Sequence, residues 1–328
     1  MEKHVLQWHI THKCNLRCSH CYQEEYSQDL TLSQIKEIFN QYLCFLVTKG
    51  YKGHINLTGG EPFLYPHLFE VLDLFEENKI TFGILTNGAL LEEEIVEKLS
   101  QYRGLSFVQI SIDGVKKTHE QIRGRGTFGK SLEAIQLLRK YHITSMVSFT
   151  AHKANYQELK KVIKVVKRYK VDRFWTDRLI PIGNTEEILS TEEFLSYVKV
   201  LTHEARKAEK SHLTHTAIHM NRALQFCGGS NQFYHCSAGI QLLTILANGD
   251  IVPCRRLPIV FGNVLEKSIL ELYEASEIIK ALQHMPKECL MCYKAPYCKG
   301  GLRCLTYAVT KDLNKKDINC LLVNEESL

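Results

Sequence analysis

The octet Cys-Asn-Leu-Arg-Cys-Ser-His-Cys at residues 14–21 directly follows a short apolar run, residues 5–11. The run is typical of a β-strand, so Cys14, Cys18 and Cys21 are expected in the loop that follows it. Three thiolates can bind only three of the four irons of a cubane cluster, which leaves one iron for a non-protein ligand. We therefore expect a catalytic iron–sulfur cluster. A zinc loop is the alternative, although zinc sites usually use Cys-x2-Cys pairs.

The composition is that of a globular protein that can bury a large core. The chain has 328 residues, of which 45% are hydrophobic and 23% are charged, and its length allows two domains. No apolar run approaches the roughly 18 residues that span a bilayer. No signal peptide precedes the first strand, so we expect a cytoplasmic protein. The net charge of +5 indicates neither nucleic acid nor a membrane surface as a partner.

Twelve cysteines are many for a reducing compartment, where a disulfide framework is not expected. The surplus therefore indicates metal binding. Eight of them lie near the C-terminus, which is the number that two fully ligated four-iron clusters require: Cys227, Cys236, Cys254, Cys289, Cys292, Cys298, Cys304 and Cys320. A zinc ribbon is the alternative for this region. Cys44 lies among apolar residues of a predicted helix and is expected in the core.

Residues 6–183 alternate short, β-branched apolar runs with longer amphipathic runs. Six such β-α units predict a parallel sheet with right-handed crossovers, as an open sheet or as a full or partial barrel. The predicted strands are residues 6–11, 54–58, 81–85, 107–112, 145–150 and 174–179. Chemistry in such folds lies at the carboxyl ends of the strands.

Polar motifs follow these predicted strands. Gly59 and Gly60 would let the backbone approach a ligand closely, and Glu61 would supply a carboxylate; an ordinary turn is the alternative. Residues 123–129, Arg-Gly-Arg-Gly-Thr-Phe-Gly, would open a helix with a cationic backbone suited to a carboxylate or phosphate, or form a solvated loop.

The pattern changes after residue 185. A long helix is expected over residues 191–213, and the Asn248-Gly249 pair between two apolar runs predicts a β-hairpin. A further helix is expected over residues 268–284. We expect a barrel over residues 1–185, a helical linker over 186–226 and a cysteine-rich domain over 227–328.

Taken together, these motifs resemble the radical SAM superfamily, specifically its members with a C-terminal SPASM domain. The resemblance rests on the Cys-x3-Cys-x2-Cys loop, on Gly-Gly-Glu-Pro at residues 59–62 and on a seven-cysteine pattern from Cys236 to Cys320. It implies an α/β fold, a partial (β/α)6 TIM-like barrel followed by a small SPASM domain with a β-hairpin and helices. One departure is the spacing before Cys304, where the chain has five residues and the family usually has three.

The resemblance also implies the cofactors, which are S-adenosylmethionine, one 4Fe–4S cluster that binds it and two auxiliary 4Fe–4S clusters. Cys14, Cys18 and Cys21 would hold the first cluster. The residues expected around S-adenosylmethionine are Gly59, Gly60 and Glu61 at its amino group and Ser111, Arg123 or Arg178 near its ribose and carboxylate. The implied inner auxiliary ligands are Cys227, Cys236, Cys254 and Cys304, and the outer ones are Cys289, Cys292, Cys298 and Cys320.

The implied reaction is reductive cleavage of S-adenosylmethionine to a 5′-deoxyadenosyl radical, which abstracts hydrogen from a substrate. A ribosomally made peptide is the expected substrate, with crosslinking, epimerisation or oxidation as the outcome. The expected partners are that peptide or a small protein, and an electron donor such as flavodoxin or ferredoxin. Since no extension precedes the first strand, a separate leader-peptide recognition protein or direct recognition by the barrel is also expected.

Three alternatives remain open at this stage. The first is a small-molecule enzyme, for example one that modifies a tetrapyrrole side chain. The second is sulfatase maturase-like protein oxidation, but those relatives carry an acidic residue where Arg255 follows Cys254 here. Arg255 and Arg256 would face an acidic peptide or solvent. The third is a non-catalytic iron–sulfur electron carrier, which the open iron makes the weakest.

Overall fold

A parallel sheet with helical crossovers forms the first two thirds of the chain. The computed structural model describes residues 1–22, 28–181, 185–211, 215–229 and 234–322. The parallel strands, which lie in chain order across the sheet, are β1 (Lys3–Thr11), β2 (Lys52–Gly59), β3 (Thr81–Thr86), β4 (Leu105–Ser111), β5 (Ser145–Ala151), β6 (Arg173–Arg178) and β7 (Ala217–His219). All six predicted strands are confirmed. β7 is an additional edge strand, from the region predicted as a helical linker.

Helices connect these strands and cover the sheet. They are α1 (Leu32–Lys49), α2 (Leu68–Glu77), α3 (Glu93–Leu99), α4 (Lys116–Arg123), α5 (Thr127–Lys140), α6 (Leu159–Arg168) and α7 (Thr191–Glu209). The last is the helix predicted over 191–213, of which residues 212 and 213 lie outside the described residues. In the described part of the chain no helix is both long and apolar enough to cross a membrane.

The first helix shows how local sequence and core packing agree. Thr31 and Gln34 form a capping box at its start, and Gly50 ends it with a left-handed φ of 67°. Its apolar face is buried, with Phe39 against the ring of Phe75. The expectation that Cys44 is a core residue is wrong, because its position on the helix turns it to the exposed face.

The connection between β4 and β5 differs from the sequence prediction. A single helix was expected there, but the structure has α4 and α5, separated by Gly124 and Gly126 with φ of 109° and 83°. These positive angles suit glycine, which has no Cβ to clash. The break makes Arg123 the last residue of α4, and this position directs its side chain towards the cysteine loop.

The cysteine-rich region is attached to the barrel sheet itself. The predicted hairpin is confirmed as β8 (Leu242–Ile245) and β9 (Asp250–Val252), and β8 also pairs in parallel with β1, with Leu6 opposite Leu243. The remaining elements are β10 (Gly262–Asn263), α8 (Ile269–Ala275), α9 (Glu277–Gln283), α10 (Ala295–Cys298) and α11 (Arg303–Thr310). The helix expected over 268–284 is therefore two helices, because Ser276 starts a new one as its N-cap.

A buried ion pair adds a second attachment. Arg178, at the end of β6, donates through Nη1 and Nη2 to the two carboxylate oxygens of Asp317, at 2.7 Å each. Both side chains are almost inaccessible, with 2% and 1% of their surface exposed. Asp317 also accepts from the backbone N–H of Leu302, and Asn319 accepts from Arg178. This bidentate geometry fixes the C-terminal segment against the barrel.

We expect Asp317→Asn to lower the free energy of unfolding by about 3–5 kcal/mol, because Arg178 would keep a buried charge without its partner. The matched control is Glu274→Gln, which breaks the exposed ion pair with Lys49 and should change stability by less than about 1 kcal/mol. Anaerobic denaturant unfolding of the cluster-loaded protein measures both. Equal losses in the two variants would contradict the tethering role of Asp317.

Candidate active site

A cavity of about 170 Å³ lies at the carboxyl ends of β1 to β6. The cysteine loop after β1 forms one wall with Cys14, Cys18 and Cys21. Strand ends supply much of the rest, among them Gly59, Gly60, Asn87, Ser111, Thr150 and Asp177, and the cavity is also lined by Arg123, Arg255 and Arg256. The sequence prediction that these motifs meet at one edge of the sheet is correct.

The two glycines after β2 serve the cysteine loop directly. A Cβ on Gly59 would lie 2.3 Å from the carbonyl oxygen of Thr11, and one on Gly60 would lie 2.1 Å from that of Lys13. The N–H of Gly60 donates to Thr11 at 2.8 Å, and the N–H of Glu61 donates to Lys13 at 2.7 Å. The close approach that requires glycine is thus between two backbones of the protein, in addition to any approach to a ligand.

Glu61 is completely buried and does not line the cavity. Its carboxylate accepts from the Thr86 hydroxyl at 2.7 Å and from the Asn87 N–H at 2.9 Å. Burial raises the pKa of this carboxyl to about 7, against the opposing effect of those two donors. In the structure Glu61 therefore links the ends of β2 and β3, where the sequence suggested a carboxylate facing the ligand.

The opposite side of the cysteine loop is held by α4. The N–H of Ser19 donates to the carbonyl of Ile122 at 2.9 Å. Arg123 donates through Nε to Asp113 at 2.6 Å, and its Nη1 lies 3.9 Å from the sulfur of Cys18. Burial would raise the pKa of Asp113, but the charges of Arg123 and His20 and the hydrogen bonds from Thr150 and Arg123 together hold that pKa below its usual range. A charged pair therefore lies directly behind the thiols.

The three loop thiols fit a cluster with one open iron. None of them is in a disulfide, and no fourth cysteine lines this cavity, whose lining residues are all described. Burial raises the pKa of the Cys14 and Cys18 thiols, and the neighbouring thiolates add to this. Arg123 opposes the rise at Cys18. Metal ligation removes these protons, so the arrangement suits thiolates that are coordinated.

A second cavity of about 300 Å³ adjoins the first and is lined by Cys236, Cys254 and Cys304. The two cavities share five lining residues, Leu85, Gln109, Trp175, Arg255 and Arg256. Two groups of thiols, one from the barrel loop and one from the cysteine-rich region, therefore open onto neighbouring spaces.

The remaining cysteines lie further out. Cys289, Cys292, Cys298 and Cys320 surround a small space of about 20 Å³. Burial, and after it the charge of Cys320, raises the pKa of the Cys227 thiol to about 11. Cys227, which the sequence resemblance groups with the inner set, lines neither the second cavity nor this small space. Across the described residues no three His, Cys, Asp or Glu side chains meet around a single ion.

The other residues predicted to bind S-adenosylmethionine differ in whether their side chains are free to contact a ligand in the cavity. Ser111 lines the first cavity and ends a hydrogen-bonded chain in which Trp175 donates to Gln109, Gln109 to Ser148 and Ser148 to Ser111. Arg123 also lines the cavity. Arg178 touches the cavity, but its guanidinium is bound to Asp317, so the expectation that it binds a ligand carboxylate is not supported.

Two further residues support the cysteine loop, and sequence reasoning missed the first of them. Asp29 accepts from the Thr11 hydroxyl and from the N–H of His12, both at 2.7 Å, and so fixes the start of the cysteine loop. No sequence pattern connects these positions. Asn87 donates to Asn15 at 2.8 Å and approaches Cys14. The position of Asn87 directly after β3 is the sequence feature that places it among the polar groups at the carboxyl ends of the strands.

Two family models match the chain. Residues 8–166 match the radical SAM superfamily, and residues 236–294 match the SPASM model, an iron–sulfur cluster-binding domain. These matches favour iron–sulfur clusters over the zinc alternatives for both cysteine regions.

Similar proteins include enzymes of more than one class. An AdoMet-dependent heme synthase from Methanosarcina barkeri is 28% identical, and the alignment covers 97% of this chain and 96% of that protein. The antilisterial bacteriocin subtilosin biosynthesis protein AlbA from Bacillus subtilis is 26% identical over 89% of this chain and 65% of its own length. The crystal structure of Streptococcus suis SuiB bound to S-adenosylmethionine has the same fold, with a TM-score of 0.78, 18% identity and coverage of 98% of this chain and 78% of that one.

We expect Gly60→Ala to displace the cysteine loop, because its Cβ would collide with the Lys13 backbone. The anaerobically reconstituted variant should lose about a third of its iron, the share of one cluster in three, and should no longer cleave S-adenosylmethionine. The control is Gly129→Ala, an exposed helical position with no atom within 4 Å of the added Cβ. Full iron content and activity in Gly60→Ala would show that the loop does not depend on this contact.

Proposed function

The chain belongs to the radical SAM superfamily and carries a SPASM domain, and from this premise we propose that it abstracts hydrogen from a ribosomally made peptide. Crosslinking, epimerisation or oxidation would be the outcome. The observation that supports the proposal is the pair of adjoining cavities, one lined by the loop thiols and the other by the inner thiols, where a substrate would fit. When bound, the cluster and S-adenosylmethionine supply a 5′-deoxyadenosyl radical.

The residues of the first cavity have the chemistry to hold these cofactors. Cys14, Cys18 and Cys21 would ligate the cluster, and the absence of a fourth cysteine from this cavity wall leaves an iron for the amino and carboxylate groups of S-adenosylmethionine. The backbone of Gly59 and Gly60 faces the same space. Ser111 accepts its hydrogen bond from Ser148, so its own hydroxyl hydrogen can be donated to a ribose oxygen.

The shared part of the two cavities would orient the substrate and keep water out. Leu85 and the Trp175 ring form its apolar surface, and the Arg222 guanidinium lies 4.3 Å from the centre of that ring. Gln109, which Trp175 fixes by a hydrogen bond at 2.9 Å, offers an amide at the same surface. An amide beside apolar walls suits a peptide segment, because it can pair with backbone groups while the side chains pack.

One of the relatives favours the peptide reading. AlbA is named for the biosynthesis of a bacteriocin, and bacteriocins are ribosomally made peptides. We extend that substrate class to this chain as part of the proposal.

We also propose that a flavodoxin or ferredoxin delivers electrons near the outer cysteines. Met291 and Tyr293, which lie between Cys289 and Ala295, are 98% and 71% exposed. Exposed apolar side chains beside a predicted cluster are suited to a transient protein contact.

The test is anaerobic incubation of the reconstituted enzyme with S-adenosylmethionine and a short peptide encoded next to its gene, followed by mass spectrometry. We expect either loss of paired hydrogens or, in deuterium oxide, uptake of deuterium at one residue. Cys18→Ala should abolish the product, because the cluster loses a ligand. Cys44→Ser, at an exposed cysteine outside both cavities, should retain it.

A tetrapyrrole is the second candidate substrate. The heme synthase from Methanosarcina barkeri aligns over nearly the full length of both proteins, which favours this class. The same assay with an iron-loaded porphyrin tetracarboxylate separates the candidates. Turnover of the porphyrin while the peptide stays unmodified would replace the peptide proposal.

A further inference from the structure

Three arginines meet where the two cavities join. Arg255 and Arg256 line both cavities, and Arg222 lines the second one. The only carboxylate among the lining residues of either cavity, all of which are described, is that of Asp177. Two further arginines of the first cavity, Arg123 and Arg178, are paired with carboxylates outside its wall. At the junction itself three positive charges therefore face one negative charge.

Asp177 is already used by two of these arginines. Arg256 donates through Nη2 to its carboxylate at 2.8 Å, and Nε of Arg222 lies 4.0 Å from the same oxygen. Arg222 is also stacked on Trp175, with its guanidinium carbon 4.3 Å from the ring centre. Both side chains are thus held in place by protein groups.

Arg255 is held differently. Its Nη1 donates to the Thr58 hydroxyl at 3.4 Å, and its guanidinium lies 5.7 Å from the centre of the Tyr22 ring. Among the residues that the structure describes it forms no ion pair with a carboxylate. A guanidinium is always charged and presents a planar set of donors that matches a carboxylate. Because Arg255 lines both cavities, its charge faces whatever occupies the junction.

We propose that Arg255 binds a carboxylate of the substrate at the junction of the two cavities. Arg222 adds positive charge on the side of the second cavity, and Arg256, bound to Asp177, forms the wall behind. This inference rests on the proposed function, since it assumes that the substrate lies between the loop thiols and the inner thiols. For a peptide the carboxylate belongs to an acidic side chain or to the C-terminus, and it would fix which part of the chain faces the first cavity.

The experiment uses binding, so that it does not depend on turnover. Three fluorescently labelled probe peptides are titrated into the cluster-loaded enzyme with S-adenosylmethionine at physiological salt. They are Gly-Glu-Gly-Glu-Gly with the label on its N-terminal amine and an amidated C-terminus, the same peptide with Gln in place of Glu, and the Gln peptide with a free C-terminal carboxylate. We expect one of the two acidic probes to bind at least tenfold more tightly than the neutral one, the gain of about one charge-assisted hydrogen-bonded pair. The tighter acidic probe identifies the source of the carboxylate.

Variants assign that preference to Arg255. The affinity ratio between the acidic and the neutral probe should fall at least tenfold in Arg255→Gln. An intermediate ratio should remain in Arg255→Lys, because lysine keeps the charge and loses the paired donors. The control is Arg103→Gln, an exposed arginine before β4 at the opposite end of the strands, which should bind all probes as the unmodified enzyme does. If Arg255→Gln fails to load its clusters, Arg255→Lys carries the comparison.

Three results would overturn the inference. The first is that acidic and neutral probes bind equally well. The second is that the preference for acidic probes persists in both Arg255 variants. The third is that Arg255→Gln weakens the binding of S-adenosylmethionine as much as it weakens the binding of the peptide. The last would assign the arginine to the cofactor carboxylate. Probe binding that depends on Arg255, together with no modification of the neighbouring peptide by mass spectrometry, would leave the carboxylate site standing and reject only the peptide reaction.

Discussion

The contact between the glycine pair after β2 and the backbone that leads into the cysteine loop is the constraint on which the site depends. Gly59 and Gly60 have no side chain, so the carbonyls of Thr11 and Lys13 can occupy the space that a Cβ would need. Two backbone hydrogen bonds then join the loop to the end of β2. On its other side the loop bonds to α4 through Ser19 and Ile122. Three thiols on a loop of irregular structure are in this way held from two directions, as a preorganised ligand set requires.

The relation between the two thiol groups depends on a different set of interactions. β8 pairs with β1, so the hairpin that leads to Cys254 continues the same sheet that leads to Cys14. The buried pair of Arg178 and Asp317 attaches the C-terminal segment to β6. Both attachments are made within the rigid core of the fold, so the space between the inner thiols and the loop thiols has a fixed size. That fixed space is the basis of the proposed substrate site.

Charge is distributed unevenly around this space. Arg123 and Arg178 have carboxylate partners, Asp113 and Asp317, as expected where desolvation penalises a lone charge. Arg303 is also buried, and its guanidinium donates to the backbone carbonyl of His284. At the junction of the cavities Asp177 satisfies Arg256, and Arg255 forms an ion pair with none of the carboxylates that the structure describes. This difference makes Arg255 the candidate for substrate recognition.

The sequence by itself determined the elements and the chemistry of this protein, because both depend on short-range patterns. Apolar periodicity predicts the positions of the strands and helices. The spacing of Cys14, Cys18 and Cys21, which lie within eight residues, indicates an iron–sulfur cluster. Only the tertiary structure decided which distant side chains meet. It turned Glu61 inward to Thr86 and Asn87, and it paired Arg178 with Asp317, which lies 139 residues further along the chain. It also placed Cys44 on the exposed face of α1. The reason is physical: local pattern sets backbone conformation, while the partner of a buried charge or thiol depends on how strands far apart in sequence are packed side by side.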